Sequence, residues 1–235
     1  MSGTTFIAGG GIKARLKRLV VARVLTPLQR YILGPAKLRR NSLKPQRRLE
    51  IGPGANRIAG FETLNVIGGR QVDYVGNATQ RLPFADNTFD LIYASHILEH
   101  VAWYQSAQTL KEWVRVLKPG GVLEIWVPDG FKIAEAFVAA ERAGNRDFEQ
   151  DGWWRFNEER DPCRWMAGRI FSYGDGTGAT GHFNWHVALF SERYLSDLMQ
   201  TSGLADVRRM SREEVRGADH GWINLGLCGR KAVSR

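Results

Sequence analysis

From Leu49 onward the chain alternates short apolar runs with glycine-rich and polar breaks. The spacing predicts strands at Leu49 to Gly52, Thr63 to Ile67, Val72 to Val75, Leu91 to Ser95 and Val122 to Val127. Between the last two strands, Leu110, Trp113, Val114 and Leu117 recur at helical steps, and Lys118-Pro119-Gly120-Gly121 supplies the breakers that end that helix. Strands alternating with helices imply an α/β fold on a mostly parallel central sheet with helices on both faces. Only about ten residues separate the first two strands, near the lower limit for a parallel crossover, so any helix there is short. After Asp129 the alternation stops. Residues 130–183 read as an insertion over the strand ends, rich in aromatic side chains (Trp153, Trp154, Phe156, Trp165, Phe171, Tyr173). A helix from Ser191 to Ser202 follows, with Ser191 as N-cap and Gly203 as C-cap. Val207 to Met210 and Trp222 to Leu227 then close the sheet as a hairpin-like pair.

The first 48 residues follow a different pattern. Ile12, Leu16, Leu19, Val20, Val24, Leu25 and Leu28 recur at three- and four-residue steps with cations between them, which predicts an amphipathic helix that Pro27 breaks or restarts. This segment holds twelve of the 33 basic residues and no acid, so the net charge of +9 belongs to the extension. The remaining residues, 49–235, are mildly acidic. Two readings stand for the extension: its apolar stripe packs on the core, or residues 12–48 lie against an anionic membrane. A nucleic-acid arm ranks third, because the aromatic residues on which bases stack are nearly absent.

At 235 residues the chain suits one α/β domain with an insertion. No apolar run has spanning length and the N-terminus lacks the layout of a secretory signal. Cys163 and Cys228 are too few for a disulfide framework or a zinc site. A cytoplasmic protein without a structural metal is the expectation, peripheral to a membrane under the second reading of the extension.

Four segments then carry a resemblance: Leu49-Glu50-Ile51-Gly52-Pro53-Gly54; Arg81-Leu82-Pro83-Phe84-Ala85-Asp86-Asn87-Thr88-Phe89-Asp90; Tyr93-Ala94-Ser95-His96-Ile97-Leu98-Glu99-His100; and Leu117-Lys118-Pro119-Gly120-Gly121. In this order and spacing, residues 49–129 resemble the Rossmann-like core of small class I S-adenosylmethionine-dependent methyltransferases, and more narrowly a bacterial group often encoded among surface-polysaccharide functions. The resemblance implies S-adenosyl-L-methionine as cofactor. It sets Glu50, Gly52, Pro53 and Gly54 at the methionine end, Asn65 at the ribose, Asn77 and Ala78 at the adenine, and Ser95 with His96 near the methyl group. Relatives place acids where this chain has Asn65 and Asn77. An amide accepts through one oxygen only, and more weakly than a carboxylate. Glu62 is the nearby acid.

Methyl transfer is a direct displacement, so the protein aligns acceptor and methyl and, for a hydroxyl acceptor, removes a proton. Five histidines are available. His186, where the insertion returns to the core, is the first candidate for the base; His96 is the second. His100, one helical turn after His96, reads as a buried hydrogen-bonding side chain. His182 and His186 mimic a metal-ligand spacing, but no acid is near them in sequence, so no metal is assigned. Gly174 to Gly181 reads as a loop near the acceptor rather than a phosphate loop, and the tryptophans form either an acceptor wall or a local core. The expected function is O-methylation of a glycan, glycolipid or related small acceptor. Its rivals are a methyltransferase-like binding protein with little activity and a nucleic-acid methyltransferase.

Overall fold

The computed structural model describes residues 20–54, 56–144, 157–172 and 183–233. Seven strands form one sheet: β1 (Arg48–Ile51), β2 (Glu62–Asn65), β3 (Tyr74–Val75), β4 (Phe89–Ser95), β5 (Leu117–Pro128), β6 (Leu204–Arg209) and β7 (Asn224–Lys231). Their order is β3-β2-β1-β4-β5-β7-β6. The first five are parallel, and β7 runs antiparallel to both β5 and β6. The predicted strands, the closing pair and the α/β class are all present with shifted bounds: the second strand stops at Asn65, the third holds only Tyr74–Val75, the fifth starts at Leu117 and so includes the predicted breakers, and the last starts at Asn224, after a 3-10 turn that holds Trp222.

Helices α2 (Ser106–Val116) and α5 (Glu192–Thr201) cover one face. Beneath them Leu49, Ile51, Leu64, Ile92, Leu110 and Trp113 are fully buried, each worth about 1.5–3 kcal/mol or more for its removal from water. Ser191 caps α5 by accepting from the Tyr194 N–H, and Gly203, at φ +100°, lets the chain turn after it. No helix stands between β1 and β2 among the described residues, in keeping with their short spacing. The second face is closed instead by Phe61, Met210 and the neighbours of Tyr93 and Trp126.

In the insertion, α3 (Gly130–Ala143) is capped by Asp129, and α4 (Pro162–Phe171) by Asp161. Trp165 is fully buried with Ile133 and Ile223 and stacks on Trp222 at 6.3 Å. It therefore belongs to a local core, while Trp153, Trp154, Phe156, Tyr173, His182 and the 174–181 loop lie outside the described residues.

The N-terminal run α1 (20–41) is helical throughout and does not break at Pro27. Each proline in it follows a wide π-type turn, Val21–Leu25 before Pro27 and Gln29–Leu33 before Pro35. A proline lacks the N–H and crowds the carbonyl four residues back; the wide turn moves that carbonyl aside. Of the apolar stripe, Val20, Val24 and Leu28 are exposed and Leu25 is half-buried, while Ile12, Leu16 and Leu19 lie outside the described residues. The helix docks mainly through polar side chains, with Leu38 packed beside them on the core. Thr26 Oγ1 accepts from the Gly68 N–H, and Gln29, buried, bonds Gly69 and Val72 at 2.8–3.0 Å. Lys37 pairs with Asp73 at 2.8 Å, and Asn41 donates to the Tyr74 hydroxyl at 2.8 Å. Arg47 is not a solvated cation of the extension either, since it is buried in a bidentate pair with Glu62 at 2.8–2.9 Å.

Candidate active site

The strand order reverses between β1 and β4, and ligands of open α/β sheets bind outside the strand ends at such a point. A cavity of about 620 Å³ opens there. Its wall takes Ile51, Gly52 and Pro53 from the end of β1, Leu64 to Val66 from β2, Gly76 to Thr79 after β3, and His96, Ile97, His100 and Val101 after β4. Ser172, Phe183 and Asn184 of the insertion complete it. The volume and the mixture of aliphatic walls with a few convergent polar groups suit a nucleoside-sized ligand.

Each polar group on this wall has a local cause. Gly52 sits at φ +72°, and a Cβ there would meet the Ile97 side chain at 1.9 Å. The space this glycine leaves is therefore taken by Ile97, not by the ligand alone. Gly54 has open space around it. Asn65 Oδ1 accepts from the Val66 N–H at 2.8 Å, which turns the amide nitrogen away from that bond. Asn77 Oδ1 accepts from the N–H and hydroxyl of Thr79 at 3.0 and 2.9 Å, an Asx turn. Trp113 Nε1 donates to the Ala78 carbonyl at 3.0 Å, clamping that turn to α2. Both lone pairs of Asn77 Oδ1 are thus used within the chain, while Asn65 Oδ1 keeps one.

Gly52, Pro53, Asn65, Asn77, Ala78 and His96 line the cavity; Glu50, Gly54, Ser95 and His186 do not. Glu50 is buried with Oε2 lacking a hydrogen-bond partner among the described residues, and burial pushes its pKa up. Glu62 cannot serve the ribose, because Arg47 and the Tyr74 hydroxyl occupy its carboxylate at the start of β2, the strand end away from the cavity. Burial opposes its charge, but those two hydrogen bonds hold its pKa below the ordinary value.

The methyl end expected from the sequence holds a histidine cluster around one carboxylate. Glu99, 1 % exposed, stands on the 3-10 turn Leu98–His100. Its Oε1 lies 3.1 Å from His96 Nδ1, without the alignment of a directed hydrogen bond. The other nitrogen, His96 Nε2, is 2.9 Å from Asn224 Oδ1, whose orientation is set because Asn224 Nδ2 donates to Asp219 Oδ1 at 2.8 Å. Both nitrogens of His96 face acceptors, an arrangement that favours the protonated ring. Burial works against that charge, yet Glu99 and Asn224 hold the pKa above the ordinary histidine value.

His100 Nδ1 faces the Trp185 carbonyl oxygen at 3.3 Å, an acceptor that marks Nδ1 as the protonated nitrogen and leaves the Nε2 lone pair free. His186 packs edge-on against His100, 4.8 Å between ring centres, and burial lowers its pKa to about 4. Donor atoms of Glu99, His100 and His186 lie within 4.8 Å of one another, close enough to consider a cation. His96, 3.1 Å from Glu99 Oε1, competes with a cation for that carboxylate. The residues 183–188 are locked to this cluster because the N–H groups of Val187 and Ala188 both donate to the Glu99 carbonyl, at 2.8 and 3.1 Å.

Sequence reasoning passed over Glu99, Asp219 and Asn224, and set His100 aside. The His96, Glu99, His100 spacing was the available signal for the first; Asp219 and Asn224 reach the site only through the β7 pairing.

Residues 49–125 match the family model described as Methyltransferase domain. The ubiquinone/menaquinone biosynthesis C-methyltransferase UbiE of Haemophilus ducreyi is 45% identical over 63 residues, 27% of this chain and 23% of that protein. The enzyme of the same name from Klebsiella pneumoniae is 40% identical over 82 residues, 34% of this chain and 31% of that one. The chain therefore spans about a quarter to a third of the length of these curated relatives. A solved S-adenosylmethionine-dependent methyltransferase of Methanosarcina mazei is 18% identical, with 84% of this chain and 98% of that one covered and a TM-score of 0.49.

Proposed function

We propose that this chain, whose residues 49–125 match a methyltransferase-domain family, is an S-adenosylmethionine-dependent methyltransferase that methylates a hydroxyl of a glycan, glycolipid or related small acceptor. When bound, the cofactor supplies an electrophilic methyl group. Gly52, Pro53, Asn65, Asn77 and Ala78 would hold it along the wall of the β1 to β4 crevice, and the acceptor would enter between His100 and the Phe183 side.

The observation that carries the hydroxyl reading is the histidine cluster. A hydroxyl acceptor must lose a proton, and His100 is the cavity-lining imidazole with a free nitrogen, its other nitrogen being held by the Trp185 carbonyl. His96 has its two ring nitrogens turned to Glu99 and Asn224 and serves as the partner of Glu99 rather than as the base. His186, behind His100, becomes a supporting ring rather than the base. The family match ends at residue 125, before Ser172, Phe183 and Asn184, so it does not bear on the acceptor side of this wall.

The test is transfer of labelled methyl to a panel of free glycosides and polyprenyl-linked sugars, with the product located by NMR. An O-methyl product, and a His100→Ala variant that turns over about a hundredfold slower with unchanged S-adenosylhomocysteine affinity, support the reading. A product methylated at carbon or nitrogen overturns it.

A further inference from the structure

We propose that the outward face of α1 docks this protein on an anionic membrane surface. The helix is amphipathic in the inverse sense to a packed surface helix. Its polar side chains Thr26, Gln29, Lys37 and Asn41 hold the core with Leu38 beside them, and Val20, Val24, Leu28, Tyr31 and Ile32 face out. Val24 is 59 % exposed, Tyr31 71 % and Ile32 61 %, and Val20 and Leu28 extend the same row by one-turn steps. A helix already fastened by its polar side has nothing to gain from keeping such a row in water, and nothing among the described residues covers it.

Charge selects the occupant. Arg23, Arg30, Arg39 and Arg40 are exposed on this helix without an ion pair among the described residues, and no acid occurs in residues 1–48. An aliphatic row flanked by unpaired arginines fits acyl chains beneath anionic headgroups, into which arginine stems extend while their charges stay at the phosphates. A second copy of the chain fits worse, because docking two such faces sets arginine against arginine. Nucleic acid would leave the aliphatic row in water. The loop that α1 grips, Gly68 to Val72, follows Asn65 and Val66 of the cavity wall, so the docked helix and the methyltransfer site share one short connection. The docking stands without the methyltransferase reading; only its use, bringing the site to a lipid-linked acceptor, rests on it.

The experiment is flotation of the full chain with vesicles of phosphatidylcholine alone or mixed with phosphatidylglycerol, at low and high salt. The chain should float with the mixed vesicles and partly release at high salt, about fivefold in affinity being expected per arginine engaged. A Val24→Asp/Ile32→Asp double variant should lose tenfold or more, and Arg23→Ser/Arg30→Ser should lose most of its preference for phosphatidylglycerol. No flotation of the wild-type chain, or flotation unaffected by the aspartates, overturns the proposal. So does a dimer in sedimentation equilibrium that the aspartates dissolve while vesicles stay unbound. S-adenosylhomocysteine titration of the same variants reports on the other reading: its failure in every sample removes the methyltransferase assignment and leaves the docking result standing.

Discussion

Replacing Asn65 by aspartate should tighten cofactor binding about fivefold. Asn65 ends β2, where its carbonyl accepts from Gly76 N–H at 2.9 Å and its side-chain oxygen from Val66 N–H at 2.8 Å. With one lone pair of Oδ1 committed to Val66, the amide offers the cavity at most one neutral acceptor beside its donating NH2, whereas the two ribose hydroxyls need acceptors for their protons. Aspartate keeps the Val66 bond through one oxygen and turns a charged acceptor to the cavity through the other. A hydrogen bond to a charged group contributes about 1.5–3 kcal/mol against about 0.5–1.5 for a neutral one. The net gain is on the order of 1 kcal/mol, or about fivefold in Kd. Calorimetric titration with S-adenosylhomocysteine checks it, with Asn65→Ala as a control that loses the Val66 bond without gaining a charge. Equal or weaker binding by the aspartate variant, at unchanged thermal stability, would remove residue 65 from the ribose contact. Glu62 could not then inherit it, being occupied by Arg47 and Tyr74, so the ribose would have to meet the Asn77 turn.

Gly52→Ala should destabilise the fold by about 1–2 kcal/mol, because an L residue is strained at φ +72°, and should weaken the cofactor as well, because the new Cβ displaces Ile97 on the cavity wall. Gly54→Ala, with nothing near its Cβ, should leave the melting temperature unchanged; an unfolding curve in which the two variants behave alike contradicts this reading of the turn. Acid should also unfold the chain in a way that His186 reports. Its folded pKa, about 4, lies below the ordinary histidine value, so the unfolded state binds the proton first and stability falls as pH drops from about 6.5 towards 4, by up to ~1.4 kcal/mol per pH unit. Urea titrations across that window should show His186→Gln with a shallower fall than wild type, and an identical slope refutes the assignment.

The parts of this protein that are legible in the sequence are those whose cause is local. A strand ending in glycine reads from four or five residues, and the cofactor side of the cavity is built from strand ends, with Gly52 after β1 and Gly76 after β3. The acceptor side is not local. His100 meets His186 only because the Glu99 carbonyl binds the backbone of Val187 and Ala188, and His96 meets Asn224 only because β7 lies antiparallel beside β5. No spacing announces either contact. The same holds for α1, whose periodicity defines an apolar stripe but not the side that docks. That is decided by Gln29 and Thr26, which satisfy backbone groups of the Gly68 to Val72 loop that a leucine would leave unpaired.

His96 is where the two halves join, and its backbone is strained there. At φ +54° it sits in the left-handed region, which for a residue with a Cβ costs about 1–2 kcal/mol. A glycine would relieve that strain and still let the chain leave β4 towards the Leu98–His100 turn. It would also remove the imidazole that balances Glu99, leaving a carboxylate 1 % exposed with no opposite charge in contact, a loss of roughly 3–5 kcal/mol. That loss outweighs the relieved strain, so the position favours histidine. The strained residue is held from both sides, by its N–H to the Trp126 carbonyl at 2.8 Å and by its ring between Glu99 and Asn224. That clamp fixes where the turn starts, and so fixes His100 on the cavity wall.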